Sequence, residues 1–412
     1  MQVVGIIAEY NPFHRGHRFQ IVQVRRQYPA ARIVAVMSGS FTQRGAPCIL
    51  DKWTRACHAV AGGADLVLEL PFVFACRSAQ DFARGGISLL SRLGIVSHLA
   101  FGMEAENLAP LTEIAAHIDT ESVQLRLREL LEKGCSYAAA LTYALKEDTA
   151  RSEDMLRAPN NILAIEYLRA LHLLAPQITP IAIQRTGAQH GDTRLYAGIT
   201  SASSIRRALN MPHPPWAEVR ESVTSSMLHD LREAHQDLPL EDALLDLLRY
   251  LLLMTERSAL REIHGIAEGI EHRLIQNCTL QHYSDFLSNV STKRYPQSRI
   301  ARLIVHLLLH LKKAQTAYFD TSGASYIRPL AFNTRGRELL RVTKQESQIP
   351  IITRTSEFLS SEERSRPEAS LSPLQHMLSF DSRATELRLL TLPMRNRNRD
   401  ATDFITSPKF LG

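Results

Sequence analysis

Two histidines, His14 and His17, stand three residues apart in the run Asn11-Pro12-Phe13-His14-Arg15-Gly16-His17, directly after the apolar segment Val3–Ala8. Asn-Pro favours a turn, and the residues from His14 through Arg18, Phe19, Gln20, Ile21 and Val22 carry a helical pattern. In a first helical turn, positions three apart share a face, so both imidazoles can donate to one polyanion. The helix start adds unpaired N–H groups and the positive end of its dipole, and Gly16 removes a Cβ where a ligand approaches the backbone. Such a pair suits a reaction at the α-phosphorus of a nucleotide, in which negative charge grows on the departing pyrophosphate and no covalent nucleophile is needed. Zinc is the competing use of paired histidines, but it needs a third ligand that nothing nearby supplies. No metal ligands are therefore assigned.

For this helix start to bind an anion, it should lie at the carboxyl edge of an open sheet. The first 210 residues alternate apolar, β-branched runs at 3–8, 33–37, 66–70 and 98–101 with helical patterns such as 17–26, 51–62 and 79–93. A fifth strand is expected at 179–184. Near-continuous apolar strands spaced by helices predict a doubly wound parallel sheet, a Rossmann-like α/β fold. Residues 104–157 read as a helical insertion within this catalytic domain of residues 1–210. Past His213-Pro214-Pro215 the alternation gives way to helical runs at 240–256, 271–277 and 299–313, which predicts a mainly helical domain over 211–355. Residues 356–412 read as an extension with no assigned role, loosely connected through a Ser, Glu, Arg and Pro-rich stretch.

Length and composition bound the alternatives. A chain of 412 residues with 45% apolar and 22% charged residues is an ordinary globular chain with room for two or three domains. Lys and Arg number 48 against 42 Asp and Glu, a net +6 that permits a polyanionic partner without demanding one. Five scattered cysteines with no CxxC pair argue against a disulfide framework and a zinc ribbon. The most apolar stretches are broken by Asp246, Arg249, His306 and His310, so no membrane span is expected. Met1 leads straight into a strand-like segment without a secretory pattern, and the expected location is cytoplasmic.

A second constellation lies at residues 199–206, Ile-Thr-Ser-Ala-Ser-Ser-Ile-Arg. Ser201, Ser203 and Ser204 offer hydroxyls that either cap a helix or donate to phosphate, and Arg206 in the first turn can fork onto phosphate oxygens. Asp51 reads as a helix cap, with Lys52 or Arg55 as candidate phosphate ligands.

Asn11–His17 resembles the HxGH signature of the superfamily that includes class I aminoacyl-tRNA synthetases and the pantetheine-phosphate and nicotinate-mononucleotide adenylyltransferases. Residues 199–206 resemble its second hallmark. The segments 38–55 (SGSFTQRGAPCILDKWTR), 101–104 (FGME), 158–161 (APNN), 184–185 (QR), 292–295 (TKRY) and 332–340 (FNTRGRELL) are similar to the bacterial tRNA(Met) cytidine acetate ligase family. This multi-segment resemblance spans roughly residues 2–355. It implies an ATP-dependent ligase that adenylates acetate to acetyl-AMP with release of pyrophosphate. The acetyl group then passes to the N4 amine of the wobble cytidine of elongator tRNA(Met), giving N4-acetylcytidine.

The resemblance further implies an ATP site made of Ile7, Ala8, Glu9, Tyr10, Asn11, Pro12, Phe13, His14, Arg15, Gly16, His17, Arg18, Phe19 and Gln20, together with Gly102, Asn161 and Arg185. Mg2+ is expected with the nucleotide. His14, His17 and Arg206 are the catalytic candidates, and Ser201, Ser203 and Ser204 the additional phosphate donors. Gly102 offers bare backbone beneath adenine or ribose, or simply a turn; Asn161 caps a helix or binds the ligand. Arg185 ends a strand at the same edge.

Residues 290–344 carry eleven Lys and Arg against Asp320 and Glu338 alone. Lys293, Arg294, Tyr295, Arg299 and Arg302 are the candidate tRNA-binding set, with Tyr318, Tyr326 and Phe332 as further stacking candidates. A solvated basic face over aromatic core residues accounts for the same pattern. Acetate and elongator tRNA(Met) are the expected partners, with no membrane and no protein partner. Two other functions fit the nucleotide motif: a small-molecule adenylyltransferase, and a non-catalytic RNA-binding protein that senses nucleotide.

Overall fold

All five strands expected before residue 190 form, and they lie side by side in parallel. They are β1 (Val3–Ala8), β2 (Arg32–Ser38), β3 (Leu66–Leu70), β4 (His98–Met103) and β5 (Thr179–Gln184). The computed structural model describes residues 1–135, 137–145, 155–156, 158–185, 200–360, 362–363, 370–393 and 402–412. Two further strands, β6 (Pro329–Phe332) and β7 (Lys409–Phe410), complete a sheet of order β5-β4-β1-β2-β3-β6-β7. The chain moves outward from β1 through β2 to β3 on one side and through β4 to β5 on the other. The switch point, where open α/β sheets bind ligands at their carboxyl edge, therefore lies beside β1.

The central strands are mainly apolar because both faces are covered. Val3, Ile7, Val34 and Val36 join one core with α3 (Ala79–Arg92) and α4 (Pro159–Leu174). Val4, Ile6, Ile33, Ala35 and Met37 join the other with α1 (Arg15–Gln27), α2 (Lys52–Ala61) and α5 (Ala202–Leu209). Each Val or Ile so buried stabilises the fold by about 1.5–3 kcal/mol before the entropy of ordering it is counted.

Helices follow α5 as expected, including α6 (Asp242–Met254) and α7 (Gln297–Leu308), which pack together through buried leucines. The chain then returns to the sheet. β6 pairs antiparallel with β3, Leu66 opposite Phe332, and β7 pairs parallel with β6. The last long helix, α8 (Pro373–Leu390), is largely buried. Its Arg388 Nε donates to Cys48 O at 2.7 Å, and its Asp381 Oδ1 accepts the Phe72 N–H at 2.7 Å. Through α8, the stretch that sequence left without a role thus joins the core; the basic run Arg395–Arg399 lies outside the described residues.

Lys52 and Arg55 do not serve as phosphate ligands. Lys52 Nζ is buried and donates to Glu69 Oε1 at 2.7 Å and Asp403 Oδ1 at 2.6 Å, and Arg328 also bonds both carboxylates. Arg55 is fully buried and donates to the carbonyls of Glu9, Ser38, Gly39 and Leu50. Asp51 caps α2 as expected, accepting the N–H groups of Trp53 and Thr54 at 2.9 Å. Among the described residues, no helix is long and apolar enough to cross a membrane.

Candidate nucleotide site at the carboxyl edge of the sheet

β1 ends, Tyr10 takes a left-handed backbone conformation (φ 49°), Asn11–Pro12 is cis, and His14 begins α1 as its N-cap. His14 Nδ1 accepts the Gly16 N–H at 3.0 Å, and His17 Nδ1 accepts the His14 N–H at 3.3 Å. This is a capping box built from two histidines in place of the usual Ser and Glu. A neutral imidazole has one acceptor and one donor nitrogen, so spending both Nδ1 atoms as acceptors puts both protons on Nε2. The rings stack with centroids 3.8 Å apart, and Tyr10 fixes His17 from the edge at 4.8 Å.

The surroundings keep this pair neutral. Burial, then the charges of Arg185 and Arg206, lower His14 to about 3; burial, His14 and Arg185 hold His17 well below its ordinary value. Two neutral Nε2–H donors above a helix N-terminus, with two arginines nearby, have the chemistry to receive a strongly anionic ligand.

Arg206 Nη1 donates to Asn11 O at 2.6 Å, bringing the second motif onto the turn before α1. Its Nη2 donates to Ser203 Oγ at 3.2 Å. Ser201 caps α5, accepting the Ser204 N–H at 3.1 Å, and the Ser201 and Ser204 hydroxyls bond each other at 2.8 Å. These serines therefore hold the helix start that carries Arg206.

Arg185 N–H donates to Met103 O at 2.9 Å. Its exposed side chain crosses Gly102, where a Cβ would stand 3.3 Å from Arg185 Cγ, so the glycine gives the arginine passage along the edge. Asn161 Oδ1 accepts the N–H groups of Glu104 and Ala105 at 2.9 and 3.0 Å, and Glu104 Oε2 accepts the Asn161 N–H at 2.9 Å. That exchange locks the end of β4 to the start of α4.

The other residues of the N-terminal segment divide by position. Ile7, Tyr10 and Phe13 are core; Arg15 faces outward and pairs with Glu221 at 3.8 Å; Arg18 is exposed. Gln20 Nε2 donates to Ala100 O at 3.3 Å, tying α1 to β4. Tyr10 Oη, Asn11 Nδ2 and Ser38 Oγ are buried without a hydrogen-bond partner among the described residues. Buried polar atoms are nearly always paired, so these three single out the ends of β1 and β2 as exceptions. Ser38 had no site role in the sequence reading; its only signal was its place at the head of the SGSFTQRG segment.

The expected tRNA-binding set is less uniform. Lys293 is exposed, but Arg294 pairs with Glu268. Tyr295 is buried, donates its hydroxyl to Ala267 O at 3.0 Å and lies under the Arg299 guanidinium at 3.9 Å, so its ring is not free to stack on a base. Tyr326 and Arg328 are core residues too, and Tyr318 is the half-exposed aromatic. Arg299 and Arg302 are partly exposed on α7.

A doubly wound sheet with a His-paired helix start at its switch point defines the class: an α/β nucleotidyltransferase. The family described as HIGH Nucleotidyl Transferase matches residues 1–403. The tRNA(Met) cytidine acetate ligase of Syntrophomonas wolfei is 36% identical over 99% of both chains, and that of Clostridium kluyveri 37% identical over 86% of this chain and 90% of its own. Among solved structures, Thermotoga maritima TmcAL in its apo form matches with a TM-score of 0.89 and 30% identity over 100% of both chains; the same protein bound with alpha-thio ATP matches with a TM-score of 0.87. The chain belongs to the tRNA(Met) cytidine acetate ligase family of HIGH nucleotidyl transferases.

Proposed function

We propose that this chain activates acetate with ATP and passes the acetyl group to N4 of the wobble cytidine of elongator tRNA(Met), forming N4-acetylcytidine. The observation that carries the reading is the stacked, neutral pair His14 and His17 at the start of α1, with Arg206 anchored on the same turn. Similarity to the ligases over nearly the whole chain supports the choice of acceptor.

In the first step an acetate oxygen attacks the α-phosphorus, the bond from that phosphorus to the bridging oxygen breaks, and pyrophosphate leaves with the electron pair. The Nε2–H groups of His14 and His17, the α1 N-terminus and the Arg206 guanidinium meet the charge that grows on the leaving group. Because they are already oriented by bonds to backbone, little reorganisation is needed at the moment of reaction. In the second step the cytidine amine attacks the acetyl carbonyl of the mixed anhydride, AMP leaves, and the amine loses a proton. Arg185, passing over Gly102, and the β4 end locked by Asn161 frame the edge where the nucleoside would lie.

Mg2+ entering with ATP would neutralise part of the phosphate charge. Among the described residues no group of three or more His, Cys, Asp or Glu could hold a metal ion, and phosphate and water oxygens would suit Mg2+ there. ATP chemistry falls to the sheet built largely from residues 1–210, and RNA binding to the basic helices within 211–355.

Mass spectrometry of nucleosides from elongator tRNA(Met) incubated with the protein, ATP and labelled acetate tests the reading. Labelled N4-acetylcytidine supports it. AMP joined to a phosphorylated small molecule in its place assigns the same site to an adenylyltransferase.

A further inference from the structure

The segments 101–104 and 158–161 meet at the carboxyl edge of the sheet, and the start of α4 depends on that meeting. Ala158, its N-cap residue, makes no side-chain hydrogen bond, and Pro159 carries no N–H. Glu104, just past the end of β4, supplies the cap from outside: its Oε2 accepts the Asn161 N–H at 2.9 Å and its Oε1 accepts from Asn160 Nδ2. The dipole of α4 favours a carboxylate there. Both oxygens of Glu104 are thus spent on α4, and this helix start already holds the negative charge that a phosphate would bring.

Asn161 answers from the helix, as in a capping box divided between two elements. Its Oδ1 accepts the N–H groups of Glu104 and Ala105 at 2.9 and 3.0 Å. That fixes the carboxamide, because the opposite orientation would set its NH2 against two N–H donors. What remains to the side chain is Nδ2, which can only donate. The edge around it is shared with the other nucleotide candidates: Arg185 N–H donates to Met103 O at 2.9 Å, one residue before Glu104, and the Arg185 side chain crosses Gly102.

The start of α1, with its two Nε2–H donors, suits the triphosphate; the start of α4, already carrying a carboxylate, suits the uncharged nucleoside. We propose that Glu104 is a positioning residue for ATP, holding the start of α4 so that Asn161 Nδ2 donates to an acceptor atom of the nucleoside, a ribose oxygen or a ring nitrogen. This rests on the ATP-dependent first step of the reading above. Glu104 itself touches no substrate, and its effect falls on ATP binding and not on the chemistry at the α-phosphorus.

Acetate-dependent ATP–pyrophosphate exchange on the full-length protein, run without RNA, gives kcat and KM for ATP. For Glu104→Ala, KM for ATP rises about 3- to 10-fold, the worth of one hydrogen bond, while kcat stays within about twofold of the parent. Asn161→Ala raises KM by a similar factor, and the double variant resembles Asn161→Ala alone, because Glu104 acts only through Asn161. Glu104→Gln restores KM to within about twofold of the parent: its oxygen can accept the Asn161 N–H, and the Asn160 carboxamide can turn over to accept its NH2. Should the alanine variant not fold, Glu104→Asp takes its place; it keeps the charge, stops one methylene short of the Asn161 N–H, and is expected to raise KM in the same way.

A fall in kcat shared by Glu104→Ala and Glu104→Gln would make the carboxylate charge part of the chemistry and overturn the positioning role. Additive effects in the double variant would reduce Glu104 to support of α4 and overturn it as well. An unchanged KM for ATP in Asn161→Ala would put the nucleoside elsewhere and end the proposal, while labelled N4-acetylcytidine in the tRNA assay would leave the acetyl-transfer reading standing. If the parent protein shows neither exchange nor N4-acetylcytidine, the failure lies in that reading, and the role of Glu104 falls with it.

Discussion

Replacing His14 by Asn separates the electrostatic account of the site from simple loss of a side chain. Asn is a good N-cap and can accept the Gly16 N–H that His14 Nδ1 accepts now, so α1 keeps its start. What disappears is a titrating group. In the unfolded chain His14 has its ordinary value of 6.5, while in the folded chain burial lowers it to about 3. Between those values the unfolded state holds the extra proton, so the stability contributed by this residue is fully present above pH 6.5 and is lost as pH falls toward 3. From pH 7.5 to pH 5.0 the loss is about 1.5 units of proton linkage, or about 2 kcal/mol. Urea unfolding of the parent and of His14→Asn at both pH values measures it. The variant is expected to lose about 2 kcal/mol less than the parent on acidification. Identical losses would mean that His14 titrates like an exposed histidine, and the neutral-donor argument would fail.

Other consequences follow from the same geometry. His17→Ala is expected to slow acetate-dependent pyrophosphate release by about 10²-fold, the cost of one preorganised donor, with the far-UV spectrum unchanged; near-parental turnover would remove His17 from the site. Lys52→Met leaves the buried carboxylates of Glu69 and Asp403 short of a cation and is expected to cost about 3–5 kcal/mol in denaturant unfolding. Replacing Lys293 and Arg294 together by Glu should weaken tRNA binding and flatten its salt dependence by about one phosphate contact or somewhat more. Arg294 contributes less to that change than Lys293, because Glu268 already neutralises it; a gel-shift titration at several ionic strengths compares the single variants.

The parts of the fold that sequence exposed are those whose burial leaves a local trace. β1 to β3 are covered on both faces and read as mainly apolar runs, broken in β3 by Glu69, and the turn and helix after β1 are written in seven consecutive residues. β6 left no such trace: four residues that begin with proline, paired at the far side of the sheet with a strand some 260 positions earlier. α8 was obscured for a related reason. It buries Ser379, Asp381, Ser382, Thr385 and Arg388, polar residues whose cost is met by partners such as Cys48 O that no local pattern reveals.

Within the site the same division holds. The helix-start histidines were legible, and so was the motif carrying Arg206, but not the bond from Arg206 to Asn11 O that joins them. Lys52 looked like a phosphate ligand because its partners Glu69 and Asp403 are distant in sequence. Tyr295 looked like a stacking platform because burial beneath Arg299 depends on how α7 begins.

A crystal structure of this protein with a non-hydrolysable ATP analogue measures the central claim most directly. The β- and γ-phosphate oxygens should lie within hydrogen-bond distance of His14 Nε2, His17 Nε2 and the Arg206 guanidinium, at the start of α1. A triphosphate held elsewhere, or both imidazoles turned so that Nδ1 faces the phosphates, would contradict it.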